Sequence, residues 1–301
     1  MGQSLDKQKA LLYGKFVLAA YTMFKNQNPD PLRPEPAGIP DGWEVGAWIH
    51  MSDFVLNLEE PKFYGIVAHE IANEDSRIIA IRGTEGPVEW LDDGDALLVP
   101  FHQVPATGRV SQGFDRIYGT LKVVRRPLPR PGVAPGGAAA ASETFAGSFA
   151  EQLDQLAVIR EKERGFAASA EGARRKRPTI VTGHSLGAAL TTLFVMENAD
   201  KRKFDITTSC TFASPRVGNM DFARPFNKLP IVSWRIFNKH DLVTKIPPHI
   251  PIVLDYEHVN DAYEINSSGY AKNNLLCWHE MQTYLHGLDQ TFPVCAECVL
   301  H

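Results

Sequence analysis

Apolar positions in the first 25 residues recur at helical spacing. Leu5, Leu12, Phe16, Ala20 and Met23 fall on one face, so an amphipathic helix is expected over residues 3–25. The stretch NPDPLRPEPAGIPDGW follows, and its prolines exclude helix or central strand. The pattern then changes to alternating and continuous apolar runs, which predict strands at Glu44–His50, Phe63–His69 and Arg77–Ile81. Residues 127–142, PLPRPGVAPGGAAAAS, hold four prolines, three glycines and five alanines, the composition of a flexible surface loop. Helical spacing returns at Phe145, Phe149, Leu153, Leu156 and Ile159. Next come a strand at Thr179–Thr182, a helix from about Ser185 to Asn198, and strands at Ile206–Ala213, Ile231–Asn238 and Tyr256–Ile265. A closing helix is expected from Trp278 to His286. Strands interleaved with helices predict an α/β fold whose central, mostly parallel sheet is covered by helices on both faces. The alternation continues on both sides of the Pro/Gly/Ala loop, so one domain over 1–301 is expected.

Composition narrows the classes of function. A formal net charge of -4 gives no global attraction to nucleic acid, which is not expected as a partner. The basic run Arg174–Arg177, with Arg125, Arg126 and Arg130, reads as solvated surface, or as a weak contact for anionic lipid headgroups. No apolar run approaches the roughly 18 residues of a membrane span. Charges interrupt the N-terminal apolar positions, so that segment reads as part of the folded domain rather than a signal peptide. As it stands the chain reads as cytoplasmic; a chain relieved of a leader would read the same way and be secreted. Cys210, Cys277, Cys295 and Cys298 are too few and too unevenly spaced for a disulfide framework. The tail CAEC has C-x-x-C spacing without the second pair a zinc site needs, so no metal is expected. Its thiols read as unpaired, or as one disulfide at a chain end.

The stretch TIVTGHSLGAAL (179–190) raises a chemical question: why is Ser185 held between Gly183 and Gly187, after a strand and before a helix? A bare G-x-S-x-G is weak, but strand–turn–helix is the setting of a nucleophile elbow. In that setting a side chain at either glycine would meet the adjoining strand or helix, and the serine hydroxyl is lifted off the sheet. The Leu186 amide then sits at a helix N-terminus, where it can stabilise an oxyanion. His184, beside the serine, is expected to point into packing.

A serine hydroxyl needs a base within hydrogen-bond reach and a third group to orient that base. Among downstream acids Asp241 stands out. It follows the strand IVSWRIFN and opens the loop DLVTKIPP, and reactive groups on α/β sheets gather at the carboxyl ends of strands. Asp255 and Asp261 read as surface or turn residues. For the base, periodicity favours His279 and leaves His258 and His286 as rivals.

Seven stretches in one order, IAIRGTEGPVEWLDD, SQGFDRIY, IVTGHSLGAAL, TFASPRVGN, IFNKHDLVTKIPP, YEHV and HEMQTYLHG, resemble the class 3 lipases. The resemblance covers roughly residues 43–287. It implies an α/β-hydrolase fold with a lid segment. It matches Ser185 to the nucleophile, Asp241 to the acid and His279, in H-x-x-x-x-Y-L, to the base. It matches Thr84 to the residue whose N–H and hydroxyl join the Leu186 N–H in an oxyanion hole, and His258 to a structural histidine. Residues 85–98 resemble the lid, with Val88, Trp90 and Leu91 on its apolar side. Phe114, Pro215, Val217, Val243 and Ile246 sit in stretches that resemble the acyl groove and read equally well as core. The implied function is a serine lipase acting on acylglycerols or similar apolar esters at an interface, with transient membrane or oil-droplet contact and no cofactor. Phospholipase A1 and aryl or feruloyl esterase are the alternatives, and a non-catalytic lipid-binding protein is a more distant one. Two positions depart from the family pattern: Ser111 stands where His is frequent, and Ala213 where Gly is commoner.

Overall fold

The computed structural model describes residues 4–26, 30–53, 58–72, 76–84, 96–126, 145–163, 178–250, 254–259 and 261–300. The residues expected to form the lid's apolar side, Val88, Trp90 and Leu91, and the Pro/Gly/Ala loop 127–142 lie outside these.

In chain order the helices are α1 (Lys7–Lys25), α2 (Gln112–Tyr118), α3 (Phe149–Glu163), α4 (Leu186–Lys201), α5 (Met220–Phe226), α6 (Leu275–His279) and α7 (Met281–Leu288). The strands are β1 (Trp43–Asp53), β2 (Leu58–Glu70), β3 (Arg77–Ile81), β4 (Leu98–Pro100), β5 (Arg109–Ser111), β6 (Lys122–Arg125), β7 (Pro178–His184), β8 (Asp205–Phe212), β9 (Gly218–Asn219), β10 (Val232–Asn238), β11 (His249–Ile250), β12 (Leu254–Glu257) and β13 (Ala262–Ile265). Eight strands form the main sheet in the order β13-β10-β8-β7-β3-β2-β1-β6. The run from β13 to β3 is parallel, and β2, β1 and β6 extend it antiparallel. A smaller sheet runs β11-β12-β9-β5-β4.

Strand alternation explains why the main sheet separates two cores. All five residues of β3 are buried, and they split by parity. Ile78 and Ala80 join Phe16, Val17 and Met23 of α1 and Tyr284 and Leu285 of α7; Ile79 and Ile81 join Phe114 of α2, Leu153 of α3 and Leu190 of α4. A strand buried on both faces favours a continuous apolar run, which Ile78–Ile81 supplies after the buried Arg77. Helix α1 begins where Asp6 accepts from the Lys9 N–H at 3.1 Å and turns Ala10, Tyr13, Phe16, Val17 and Ala20 inward, an i, i+3, i+4 stripe. A side chain such as Phe16, wholly removed from water, contributes about 1.5–3 kcal/mol. Residues 186–198 of α4 are all buried, as befits a helix packed on every side.

The structure corrects three expectations. The run Tyr256–Ile265 is two strands, β12 and β13, in different sheets; Asp261, in the gap between them, uses its carbonyl to accept from Arg235 N at 3.3 Å. The closing helix is broken at Glu280, whose backbone is extended at φ -63, ψ 132. The cysteines of CAEC do not act together: Cys298 is bonded to Cys277, 21 residues earlier, leaving Cys295 and the buried Cys210 as free thiols. No helix among the described residues is long and apolar enough to cross a membrane.

The loop after β10 carries Asp241 and is held from two sides. Arg216 donates from its backbone N–H to the Ile246 carbonyl at 2.8 Å and from Nη1 to the Pro247 carbonyl at 3.0 Å. His258 lies 2.9 Å from the Thr244 carbonyl through Nε2. A carbonyl only accepts, so Nε2 carries the proton. Burial, with Arg235 and Arg216 nearby, pushes the His258 imidazolium pKa down to about 3 from 6.5. The unfolded chain therefore takes up a proton below pH 6.5 that the folded chain refuses until about pH 3. Stability should fall as the pH drops through that window. His258→Gln keeps a donor and removes the titration, so its melting temperature should fall less steeply with pH than the wild type's; parallel curves from pH 7 to 4 would show that His258 titrates normally.

Candidate active site

Between β7 and α4 the chain turns on Ser185, which stands in the left-handed region at φ 57, ψ -125. Non-glycine residues rarely adopt such a backbone, and the neighbours show why it is held. The Ser185 N–H donates to the Phe212 carbonyl at 3.0 Å, and the Ser185 carbonyl accepts from Ala188 N–H at 3.0 Å. A Cβ on Gly183 would lie 2.3 Å from the Gly187 carbonyl oxygen, and one on Gly187 would lie 2.2 Å from that of Ile81. Both glycines are thus required by backbone proximity. Ala213, where Gly is commoner in the resembling proteins, also has a positive φ of 52, which gives the physical reason for that preference.

The three residues expected to cooperate meet. The Ser185 hydroxyl donates to His279 Nε2 at 2.8 Å, and His279 Nδ1–H donates to Asp241 Oδ2 at 2.7 Å. The rival histidines lie elsewhere: His258 is bonded to Thr244, and His286 Nδ1 to the Phe292 carbonyl at 2.7 Å. Asp241 is wholly buried, and a buried carboxylate needs donors. It receives three: His279, the Val243 N–H on Oδ1 at 2.9 Å and the Tyr284 hydroxyl on Oδ2 at 2.6 Å. Tyr284 in turn accepts the Asn238 N–H at 3.1 Å. Burial and the adjacent Asp241 hold the Tyr284 phenol well above its usual pKa, so it stays a donor. The Asn238 side chain donates to the Trp278 carbonyl at 2.8 Å and so ties the end of β10 to the helix that presents His279. The helix break at Glu280 follows directly.

His184 points away from the reacting groups, as expected of a packed residue. Its Nε2 donates to the His279 carbonyl at 2.8 Å and its Nδ1 accepts from the Tyr21 hydroxyl at 2.9 Å, while Tyr21 accepts the Gly83 N–H at 2.8 Å. Burial, then the neighbouring His279, hold His184 well below the usual histidine range, so it is neutral. Gly83 passes so close to the elbow that a Cβ there would lie 2.7 Å from the Ser185 Cβ, which brings Thr84 alongside. Arg82, stacked over Phe24 and Tyr64, anchors that approach by donating to the Phe63 carbonyl and, at 2.6 Å, to the Gly83 carbonyl. Thr84, His184 and His279 share the wall of an open pocket of about 120 Å³. Leu186 is buried at the start of α4. Phe114, Val217 and Val243 are buried in the core that α2 to α5 share, Pro215 is buried, and Ile246 is half-buried against the same core; none of the five lines this pocket.

Sequence patterns missed Tyr21, Arg82 and Asn238. Tyr21 sits on the inner side of α1 with no local sign of its distant partners. Tyr284 was visible as the Y of H-x-x-x-x-Y-L, without its task.

A family model described as "Lipase (class 3)" matches residues 78–250. Phospholipase A1-II 1 of Oryza sativa subsp. indica is 28% identical over 261 residues, 83% of this chain and 58% of that protein. Phospholipase A1-II 4 of Oryza sativa subsp. japonica is 30% identical over 221 residues, 70% of this chain and 50% of that protein. The chain thus spans about half the length of these curated relatives. Among solved structures, Rhizomucor miehei triacylglyceride lipase superposes with a TM-score of 0.55 at 19% identity, covering 87% of this chain and 82% of that one. The native Rhizomucor miehei lipase propeptide complex gives 0.56 at 18%, covering 87% and 70%. At such identities the likeness speaks for the fold, which is that of the α/β-hydrolases. With its elbow at Ser185 and a family match over more than half its length, the chain belongs to the class 3 lipase family.

Proposed function

We propose that this chain is a serine carboxylester hydrolase, acting on acylglycerols or similar apolar esters through an acyl-enzyme on Ser185. The observation that carries this reading is the hydrogen-bonded line from the Ser185 hydroxyl through His279 to the buried Asp241. As Oγ bonds to the ester carbonyl carbon, His279 Nε2 takes its proton, and Asp241 holds and stabilises the imidazolium. The carbonyl oxygen becomes an oxyanion facing the Thr84 and Leu186 N–H groups, each contributing on the order of 3 kcal/mol. Collapse expels the alkoxide, which takes the proton from His279. Water then gives a proton to the same nitrogen as it attacks the acyl carbon; Ser185 leaves with that proton, and the fatty acid is released.

The test is hydrolysis of p-nitrophenyl esters from acetate to palmitate. Ser185→Ala, Asp241→Asn and His279→Ala should each lower kcat by about four orders of magnitude or more, and a fluorophosphonate probe should label the wild type but not Ser185→Ala. Folded wild-type protein that neither turns over an ester, soluble or emulsified, nor takes the probe sinks the proposal. A rise in rate at an emulsion surface is expected if residues 85–98 act as a lid.

Tyr284→Phe removes one donor from Asp241 and strands the Asn238 N–H. It should lower kcat by about tenfold on a soluble ester while KM stays nearly constant. An unchanged kcat would mean that the remaining two donors suffice.

A further inference from the structure

The pocket beside Thr84 carries two charges that the chemistry above leaves unused. The alkoxide released from an ester takes its proton from the imidazolium, so the alcohol half of a substrate must lie against the base. The pocket is on that side. Its wall includes His279 together with Leu276 and Glu280 on either side of it in sequence, and none of the five residues expected to hold the acyl chain. Leu276 is 62% exposed, so the wall offers an apolar surface next to the base.

Lys25, at the last turn of α1, and Glu280, at the break between α6 and α7, both face this pocket. Lys25 is exposed and Glu280 half-buried. Among the described residues neither side chain has an ion-pair partner. The break is what puts Glu280 there. In a continuous helix from Trp278 to His286 residue 280 would keep helical dihedrals, whereas here its backbone is extended.

Each simpler alcohol fits poorly. A neutral one would cover both charges and return nothing for the lost hydration. A purely anionic one would meet the Glu280 carboxylate. An alcohol bearing an anion and a cation satisfies both, and an ammonium side chain is an established point-charge partner for phosphate. We propose that Lys25 and Glu280 form a headgroup subsite that makes zwitterionic glycerophospholipid the substrate class, with the phosphate at Lys25 and the headgroup ammonium at Glu280. This rests on the ester-hydrolase reading above.

The experiment compares kcat/KM on phosphatidylcholine, phosphatidylglycerol and neutral diacylglycerol of matched acyl chains in mixed micelles, for wild type, Lys25→Met and Glu280→Gln. Ratios between substrates cancel any general loss of activity. Lys25→Met should lower phosphatidylcholine relative to diacylglycerol by about tenfold, the order expected for one charge-assisted hydrogen bond. Glu280→Gln should lower phosphatidylcholine relative to phosphatidylglycerol. Ratios that neither substitution changes overturn the subsite, as does a wild type that prefers diacylglycerol. p-Nitrophenyl butyrate, which has no headgroup, is measured alongside. A protein inert on it and on the lipids fails as a hydrolase, and the subsite is then judged by calorimetric titration with monomeric dodecylphosphocholine. Weaker binding to Lys25→Met than to wild type supports the subsite, and equal binding overturns it.

Discussion

Where α4 leaves the sheet, Gly187 lies so close to β3 that any side chain would collide with the Ile81 carbonyl oxygen. That contact fixes how near α4 sits to the sheet, and the remaining geometry follows from it. Ser185 is forced into its left-handed backbone because the turn has no room to relax. Gly83, the second residue after Ile81, passes directly over the serine. The two segments expected to hold the oxyanion donors, Thr84 and Leu186, are therefore both referenced to one backbone contact rather than to mobile side chains. Pre-set donors of this kind need no rearrangement as charge develops.

Burial of Asp241 is the second constraint. A carboxylate removed from water destabilises the fold unless its lone pairs are occupied. Here the occupants are His279, a backbone N–H from its own loop and Tyr284 from α7. The groups that offset the cost of burial are the same groups that aim the imidazole. Removing one disturbs stability and orientation together.

Much of this was legible in the residues. Runs of apolar and β-branched residues located β3, β7, β8 and β10, because strands covered on both faces favour such residues. The glycines around Ser185 were legible because close backbone approach admits only glycine. Asp241 was legible from its place after a strand. What could not be read was set by long-range partners. The break at Glu280 interrupts an apolar spacing that a continuous helix would satisfy equally well, and is decided by where His279 must meet Asp241. The partition of Tyr256–Ile265 depends on which sheet each half pairs with. The pairing of Cys298 with Cys277 rather than with Cys295 is a fact of tertiary approach. Residues 85–98 and 127–142, read as lid and loop, fall outside the described chain except for the last residues of the first stretch.

Two imidazoles stand side by side at the elbow, His184 and His279, with ring centroids 4.6 Å apart. Of the two, His279 bonds the Ser185 hydroxyl, while His184 points away from it. The relay Gly83–Tyr21–His184–His279 fixes the protonation of His184. It starts at a peptide N–H, which can only give, and ends at a peptide carbonyl, which can only receive. Every hydrogen in between must therefore point the same way. Neither nitrogen of His184 has a free lone pair, so it has no basicity to offer, and the N-terminal helix that supplies Tyr21 serves as the polarity key that leaves a single proton acceptor beside Ser185.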